Sequence, residues 1–132
     1  AGVLLTKVLY RKKPPAKHFV IVDAGMNDLL RPAMYEAHHD IRPVAARKGK
    51  KATVDIVGPV CESSDVLGHD RAMAPLMQND LLAVMTAGAY GMSMSSSYNS
   101  RPRPAEVLVD GDRFRVVRTR ETLTDLMRGE TP

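Results

Sequence analysis

The chain has 132 residues, 44% hydrophobic and 26% charged, with a formal net charge of +4 and one cysteine. That suits one soluble domain with a real core; it excludes an internal disulfide and points to a reducing, cytoplasmic setting. No apolar run approaches the roughly 20 residues that cross a bilayer, so no membrane partner is expected. The basic residues gather at Arg11-Lys12-Lys13 and Arg47 to Lys51 without interleaved aromatics, an arrangement for solvated tips rather than for nucleic acid.

The chain opens at Ala1 straight into a strand-like run, which reads as a piece of something longer or as a processed N-terminus. Gly2 to Tyr10 mixes alternation with apolar pairs and predicts a strand. Pro14-Pro15 breaks it, and His18 to Asp23 reads as its hairpin partner. After the loop Ala24 to Asp28, Leu29 to Ala37 predicts a short helix with Asn27 or Asp28 as N-cap and Pro32 in the first turn. Ile41 to Ala45 and Ala52 to Val57 read as a second hairpin around the basic tip.

Gly58-Pro59 stops the alternating run Thr53 to Val57 and leaves Cys61 and Glu62 on a strand-to-loop corner, where a stiff scaffold commonly displays reactive groups. Asp65 to Gln78 has no clear period and reads as irregular, with a turn at Ala74-Pro75. Asp80 to Thr86 is a nearly continuous apolar run that fits a buried strand. Glycines frame Tyr90 in Ala87 to Gly91, and a Ser/Met-rich stretch runs on to Ser97. The alternate prolines of Tyr98 to Pro104 make it a constrained extended segment.

Glu106 to Val109 and Arg113 to Arg118 flank Asp110-Gly111-Asp112, a hairpin signal. Glu121 to Arg128 carries a helical apolar face, with Thr119 as N-cap and Gly129 as stop. Short strands at regular intervals with two short helices predict a mainly β fold, a barrel or sandwich.

Two readings stay open for each candidate group. Cys61 is either a small buried hydrophobe or a displayed thiol beside a carboxylate. Arg31 and Tyr35, at i and i+4, either pack on the surface or converge on one anion. Tyr90 either caps the barrel end or meets a ligand that its flanking glycines let come close. His38-His39-Asp40 is not expected to hold a metal, because adjacent residues of an extended chain point to opposite faces.

Four motifs in order add a resemblance. They are Val22 to Tyr35 (VDAGMNDLLRPAMY), Val57 to Asp65 (VGPVCESSD), Ala87 to Gly91 (AGAYG) and Tyr98 to Val107 (YNSRPRPAEV). Together they resemble the C-terminal domain of the diaminopimelate decarboxylase family essentially from end to end. The resemblance implies pyridoxal-phosphate enzymes of the alanine-racemase-like fold type, in which a (β/α)8 barrel precedes a Greek-key-like β domain. It implies homodimers with active sites shared between subunits, a barrel absent here, and a Schiff-base lysine outside these 132 residues.

By the same resemblance Arg31 and Tyr35 contact the distal carboxylate of meso-diaminopimelate, and Glu62, reaching into the neighbouring subunit's site, accepts the distal ammonium there. Cys61 returns a proton across the interface, and Tyr90 touches cofactor and substrate. The isolated chain is then expected to be inactive. The competing readings are the β domain of an ornithine or arginine decarboxylase, and a basic β-barrel module that binds RNA or another polyanion.

Overall fold

The run that opens the chain becomes β1 (Val3–Lys12), which buries Thr6 and Val8 on one face and turns Leu5 and Lys7 outward. In the computed structural model, which describes residues 1–45 and 47–131, β1 lies inside a six-stranded sheet. The other strands are β2 (Phe19–Val22), β3 (Ile41–Pro43), β4 (Ala52–Val57), β5 (Val66–Met73) and β6 (Leu81–Met85). Their order is β3-β6-β1-β2-β4-β5. Neighbours run antiparallel except β2 and β4, which pair in parallel with Phe19 opposite Asp55.

The sheet curls until its edges nearly meet. A Cβ on Gly68 of β5 would stand 3.0 Å from Ile41 Cδ1 of β3. Val8, Val22, Ile56, Leu67, Leu82 and Val84 fill the enclosed core. The expected β1–β2 hairpin and the buried β6 strand are present, and the fold is the mainly β barrel that the strand spacing predicts.

The second predicted hairpin is not. β3 pairs with β6, Ile41 opposite Val84, while β4 pairs with β2 and β5. Arg47, from the basic tip, instead reaches the loop before β6, with Nη2 2.6 Å from Asp80 Oδ1 and Nε 3.1 Å from Asp80 Oδ2. This tip therefore bridges two strands of the barrel rather than reversing one pair.

The segment expected to be irregular, Asp65 to Gln78, contains the eight-residue strand β5. Two register shifts against β4 and a left-handed Asp70, φ 51°, break its alternation, which is why no period is visible. The chain then turns at Gln78-Asn79 rather than at Ala74-Pro75.

The helices are shorter than predicted. The first, α1 (Arg31–Tyr35), has Pro32 in its first turn as expected, but Leu30 stands at its N-cap without a side-chain bond. Asn27 and Asp28 do not cap it. They turn inward, and Asp28 Oδ2 accepts the Gly25 amide at 2.9 Å to close the preceding loop. Left-handed Glu36 ends the helix.

The last helix, α2 (Leu123–Leu126), is capped by Thr122 rather than Thr119. Asp125 Oδ2 accepts the Thr122 amide at 2.8 Å, and Thr122 Oγ1 accepts the Asp125 amide at 3.3 Å. The Thr-x-x-Asp spacing of this reciprocal cap is visible in the sequence.

Outside the barrel, β7 (Glu106–Asp110) and β8 (Arg113–Arg118) form the predicted hairpin, with Gly111 at φ 60° in the turn. Both faces of this ribbon are open. Val107, Leu108, Val109, Val116 and Val117 are exposed, and Phe114 is 76% exposed. An isolated two-stranded ribbon is marginal in water, and large exposed apolar patches mark contact surfaces.

One buried carboxylate contributes to the acid sensitivity of the barrel. Asp55 accepts Lys17 Nζ at 2.9 Å, His69 Nδ1 at 2.9 Å and the Asp70 amide at 2.8 Å. Burial pushes its carboxyl up, but these three donors outweigh burial and hold it below the usual carboxylate range. A carboxyl depressed by folding contributes stability above its unfolded value, near 3.9, that is lost as pH falls through the folded one. Asp55→Asn is therefore expected to flatten the acid limb of a melting-temperature profile; an unchanged limb would place the acid sensitivity elsewhere.

Candidate active site

The loop Gly25 to Asp28 joins β2 to α1 within the first motif, and two of the other three motifs are bonded to it. On one side stands Asp65, 2% exposed, whose Oδ1 accepts the Met26 amide at 2.6 Å and Oδ2 the Val60 amide at 2.7 Å. Gly58 donates its amide to the Asp65 carbonyl at 2.9 Å. A side chain at Gly58 is impossible here, since its Cβ would fall 2.3 Å from Asp65 Oδ2. Asp65 thus ties the corner that carries Cys61 and Glu62 to the loop that launches α1.

On the other side stands Asn27, also 2% exposed. Its carbonyl accepts the Ser96 amide at 2.9 Å, and its Oδ1 accepts Arg101 Nε at 2.9 Å. Arg101 Nη2 continues to the Asp23 carbonyl at 2.5 Å and lies 3.8 Å from Asp28 Oδ2. Burial holds the carboxyls of Asp28 and Asp65 above the ordinary carboxylate value, with backbone donors and Arg101 working against it.

Arg31, the first residue of α1, carries its guanidinium over the Tyr90 ring, Cζ 5.4 Å from the centroid. Cation–π stacking of this kind orients a planar cation without using up its N–H donors. Arg31 Nε is buried and has no hydrogen-bond partner among the described residues. Tyr90 sits at φ 67° in the turn after β6 and is 60% exposed. The chain's own packing requires the glycine after it: a Cβ on Gly91 would strike the Ala87 carbonyl oxygen at 2.3 Å. Tyr35, at the far end of α1, is 61% exposed.

Cys61 is exposed, so the reading of it as a buried hydrophobe falls. Glu62 is exposed beside it and accepts the Tyr98 hydroxyl at 2.5 Å. That bond, with the charge of Glu62, pushes the Tyr98 phenol above its ordinary value.

The structure therefore brings Arg31 together with Tyr90, and hangs the Cys61–Glu62 corner from the same loop. No hydrogen bond links the two groups among the described residues. A groove of about 520 Å³ runs beside the loop between Leu5, Pro59 and Arg101, and none of the five predicted residues lines it. The site is an open face.

Sequence reasoning missed Asp65, Asn27 and Tyr98 as parts of it. Each lies in a quoted motif, but short-range spacing carries no sign of bonds that span dozens of residues. The histidines behave as extended backbone demands: His39 is buried with Nδ1 3.0 Å from the Met85 carbonyl, while His38 lies against Arg71.

Residues 1–88 match the family model described as the pyridoxal-dependent decarboxylase C-terminal sheet domain. The chain is 56% identical over 126 residues to a diaminopimelate decarboxylase of Vibrio cholerae, covering 96% of this chain and 30% of that protein. The crystal structure of the Helicobacter pylori diaminopimelate decarboxylase complexed with L-lysine superposes with a TM-score of 0.89 at 50% identity, over 96% of this chain and 31% of that one. The M. jannaschii enzyme in co-complex with L-lysine gives 0.93 at 45% identity, over 98% and 30%. The chain thus spans about a third of the length of the relatives it matches. Among the described residues, no helix is long and apolar enough to cross a membrane.

Proposed function

The chain belongs to the pyridoxal-dependent decarboxylase family as its C-terminal sheet domain, and on that premise we propose that it is the substrate-gripping part of a diaminopimelate decarboxylase. The whole protein then converts meso-2,6-diaminopimelate to L-lysine and CO2, the last step of lysine biosynthesis, as a cytoplasmic homodimer. Residues 1–132 are the C-terminal β domain. The observation that carries the reading is Arg31: a guanidinium held flat by Tyr90 at the head of a helix, with its buried Nε uncommitted.

Meso-diaminopimelate carries a second amino-acid centre, and the enzyme must hold that end while the chemistry proceeds at the other. Arg31 offers a planar fork to the distal carboxylate, and the Tyr35 hydroxyl adds a further donor. Glu62 accepts hydrogen bonds from the distal ammonium. A decarboxylase for ornithine or arginine has no distal carboxylate to hold, which leaves Arg31 without a purpose in that alternative.

The residues present also suit the anionic end of the cofactor. The open Tyr90 ring beside the Arg31 guanidinium places a phenol and a cation on one exposed face, and the Tyr90 hydroxyl is the group that would meet the phosphate. Pyridoxal phosphate, when bound, supplies the electron sink that takes up the electron pair left as CO2 departs. The Cys61 thiol returns a proton from Sγ to that carbon, a step a thiol suits because its proton is both held and transferable near neutral pH. The corner it stands on is open, which fits service in the neighbouring subunit's site. The lysine that binds the cofactor, and the barrel that covers the β7–β8 ribbon, belong to the part of the protein these residues do not span. The isolated domain is accordingly inactive.

The full-length parent, supplied with pyridoxal phosphate, is expected to release CO2 from meso-diaminopimelate and form L-lysine. Turnover of ornithine or arginine in its place would overturn this reading.

A further inference from the structure

Tyr98 takes no part in the roles above, yet its phenol makes the one side-chain hydrogen bond that Glu62 has among the described residues. We infer that Tyr98 is a positioning residue for Glu62: it occupies Oε1 and so aims Oε2 at the distal ammonium of the substrate. The inference rests on the reading of Glu62 as the acceptor for that ammonium.

The geometry is over-determined. Buried Asn27 clamps both ends of the segment that carries Tyr98, taking the Ser96 amide on its carbonyl and Arg101 Nε on its side chain. Between the clamps Asn99 and Ser100 sit at φ 59° and 54°, in the left-handed region that residues with a Cβ enter only when their surroundings hold them there. A segment pinned at both ends and bent this tightly presents the Tyr98 ring in one direction.

Glu62 reaches the same place by a separate route. Asp65 ties the corner to Met26, one residue before Asn27. Phenol and carboxylate therefore hang from one loop by independent bonds. Without Tyr98, an exposed glutamate on a bend is left to sample its rotamers, and ordering it becomes a cost of binding substrate. The phenol, held above its ordinary ionisation, remains a donor across the neutral range.

The test uses the full-length parent. Tyr98→Phe keeps the ring and removes only the hydroxyl. It is expected to raise KM for meso-diaminopimelate roughly tenfold, the scale of one charge-assisted hydrogen bond, and to leave kcat within about twofold. Glu62→Gln raises KM further, and the double variant is no worse than Glu62→Gln alone, because Tyr98 acts only through Glu62. An unchanged KM in Tyr98→Phe, or losses that multiply in the double variant, would overturn the assignment. So would a fall in melting temperature that tracks the loss of activity.

A second readout does not depend on turnover. The absorbance difference between parent and Tyr98→Phe isolates this one phenol during an alkaline titration. Ionisation above the ordinary phenol range, returned downward by Glu62→Gln, supports the pairing; ordinary ionisation in the parent overturns it. A parent that does not use diaminopimelate sinks the functional reading instead, and the phenol titration still decides the pair.

Discussion

Alanine in place of Arg31 is expected to lower kcat/KM for meso-diaminopimelate by roughly several hundredfold in the full-length parent. Truncating one partner of a desolvated, hydrogen-bonded charge pair costs about 2–5 kcal/mol, and the middle of that range corresponds to this factor. The stability cost should be far smaller. What Arg31 gives to the folded chain is a stack on Tyr90, on the order of 0.5–1 kcal/mol for an exposed cation–π contact, and no ion pair to a carboxylate among the described residues. Arg31→Lys should recover little, since an ammonium keeps the charge but not the two-pronged geometry. Parallel losses of activity and melting temperature across the two variants would mark Arg31 as structural.

Asp65→Ala is expected to be the most damaging single change to the local structure of the site. It leaves the Met26 and Val60 amides without acceptors, and a buried amide in that state costs roughly 1–3 kcal/mol. Hydrogen exchange at those two amides should then quicken by on the order of a hundredfold, because the loop and corner open together. Asp65→Asn keeps one acceptor oxygen and should lose much less. The pH dependence has its own sign. Burial raises the Asp65 carboxyl, so its contribution through titration is full below the unfolded value and lost as pH rises through the folded one, opposite to Asp55. Unchanged exchange at Met26 and Val60 in Asp65→Ala would show that the corner is held by something else.

These two residues mark what could and could not be read from the chain. Arg31 announces itself because a cation, a proline and a tyrosine fall within one helical turn. Asp65 does not, since its partners lie on backbone 39 and five residues away and leave no local pattern. The same division runs through the fold. β1, β2 and the β7–β8 ribbon follow from alternation and turn chemistry and β6 from a continuous apolar run, all of which are short-range. The partners of β3 and β4 are set by long-range register, and the Arg47–Asp80 pair fastens a loop that reads in sequence as a hairpin tip.

β5 is hidden because its bulges destroy the period that would reveal it. The capping residues fail for a related reason. Asn27 and Asp28 have the chemistry of helix caps, but their side chains are committed to the loop itself and, for Asn27, to Arg101. Where local chemistry and tertiary bonding compete for one side chain, the buried bond wins.

The bonds around Gly25 to Asp28 hold both the head of the helix that carries Arg31 and the corner that carries Glu62. In the proposed function Arg31 takes the distal carboxylate in its own subunit's site and Glu62 the distal ammonium in the neighbouring one. The most direct measurement compares kcat/KM of the full-length parent for meso-diaminopimelate and for D-lysine, which lacks only the distal carboxylate. A large preference for the diacid that collapses in Arg31→Ala is the result this arrangement predicts. A preference that survives the loss of Arg31, or equal use of the two substrates by the parent, would contradict it.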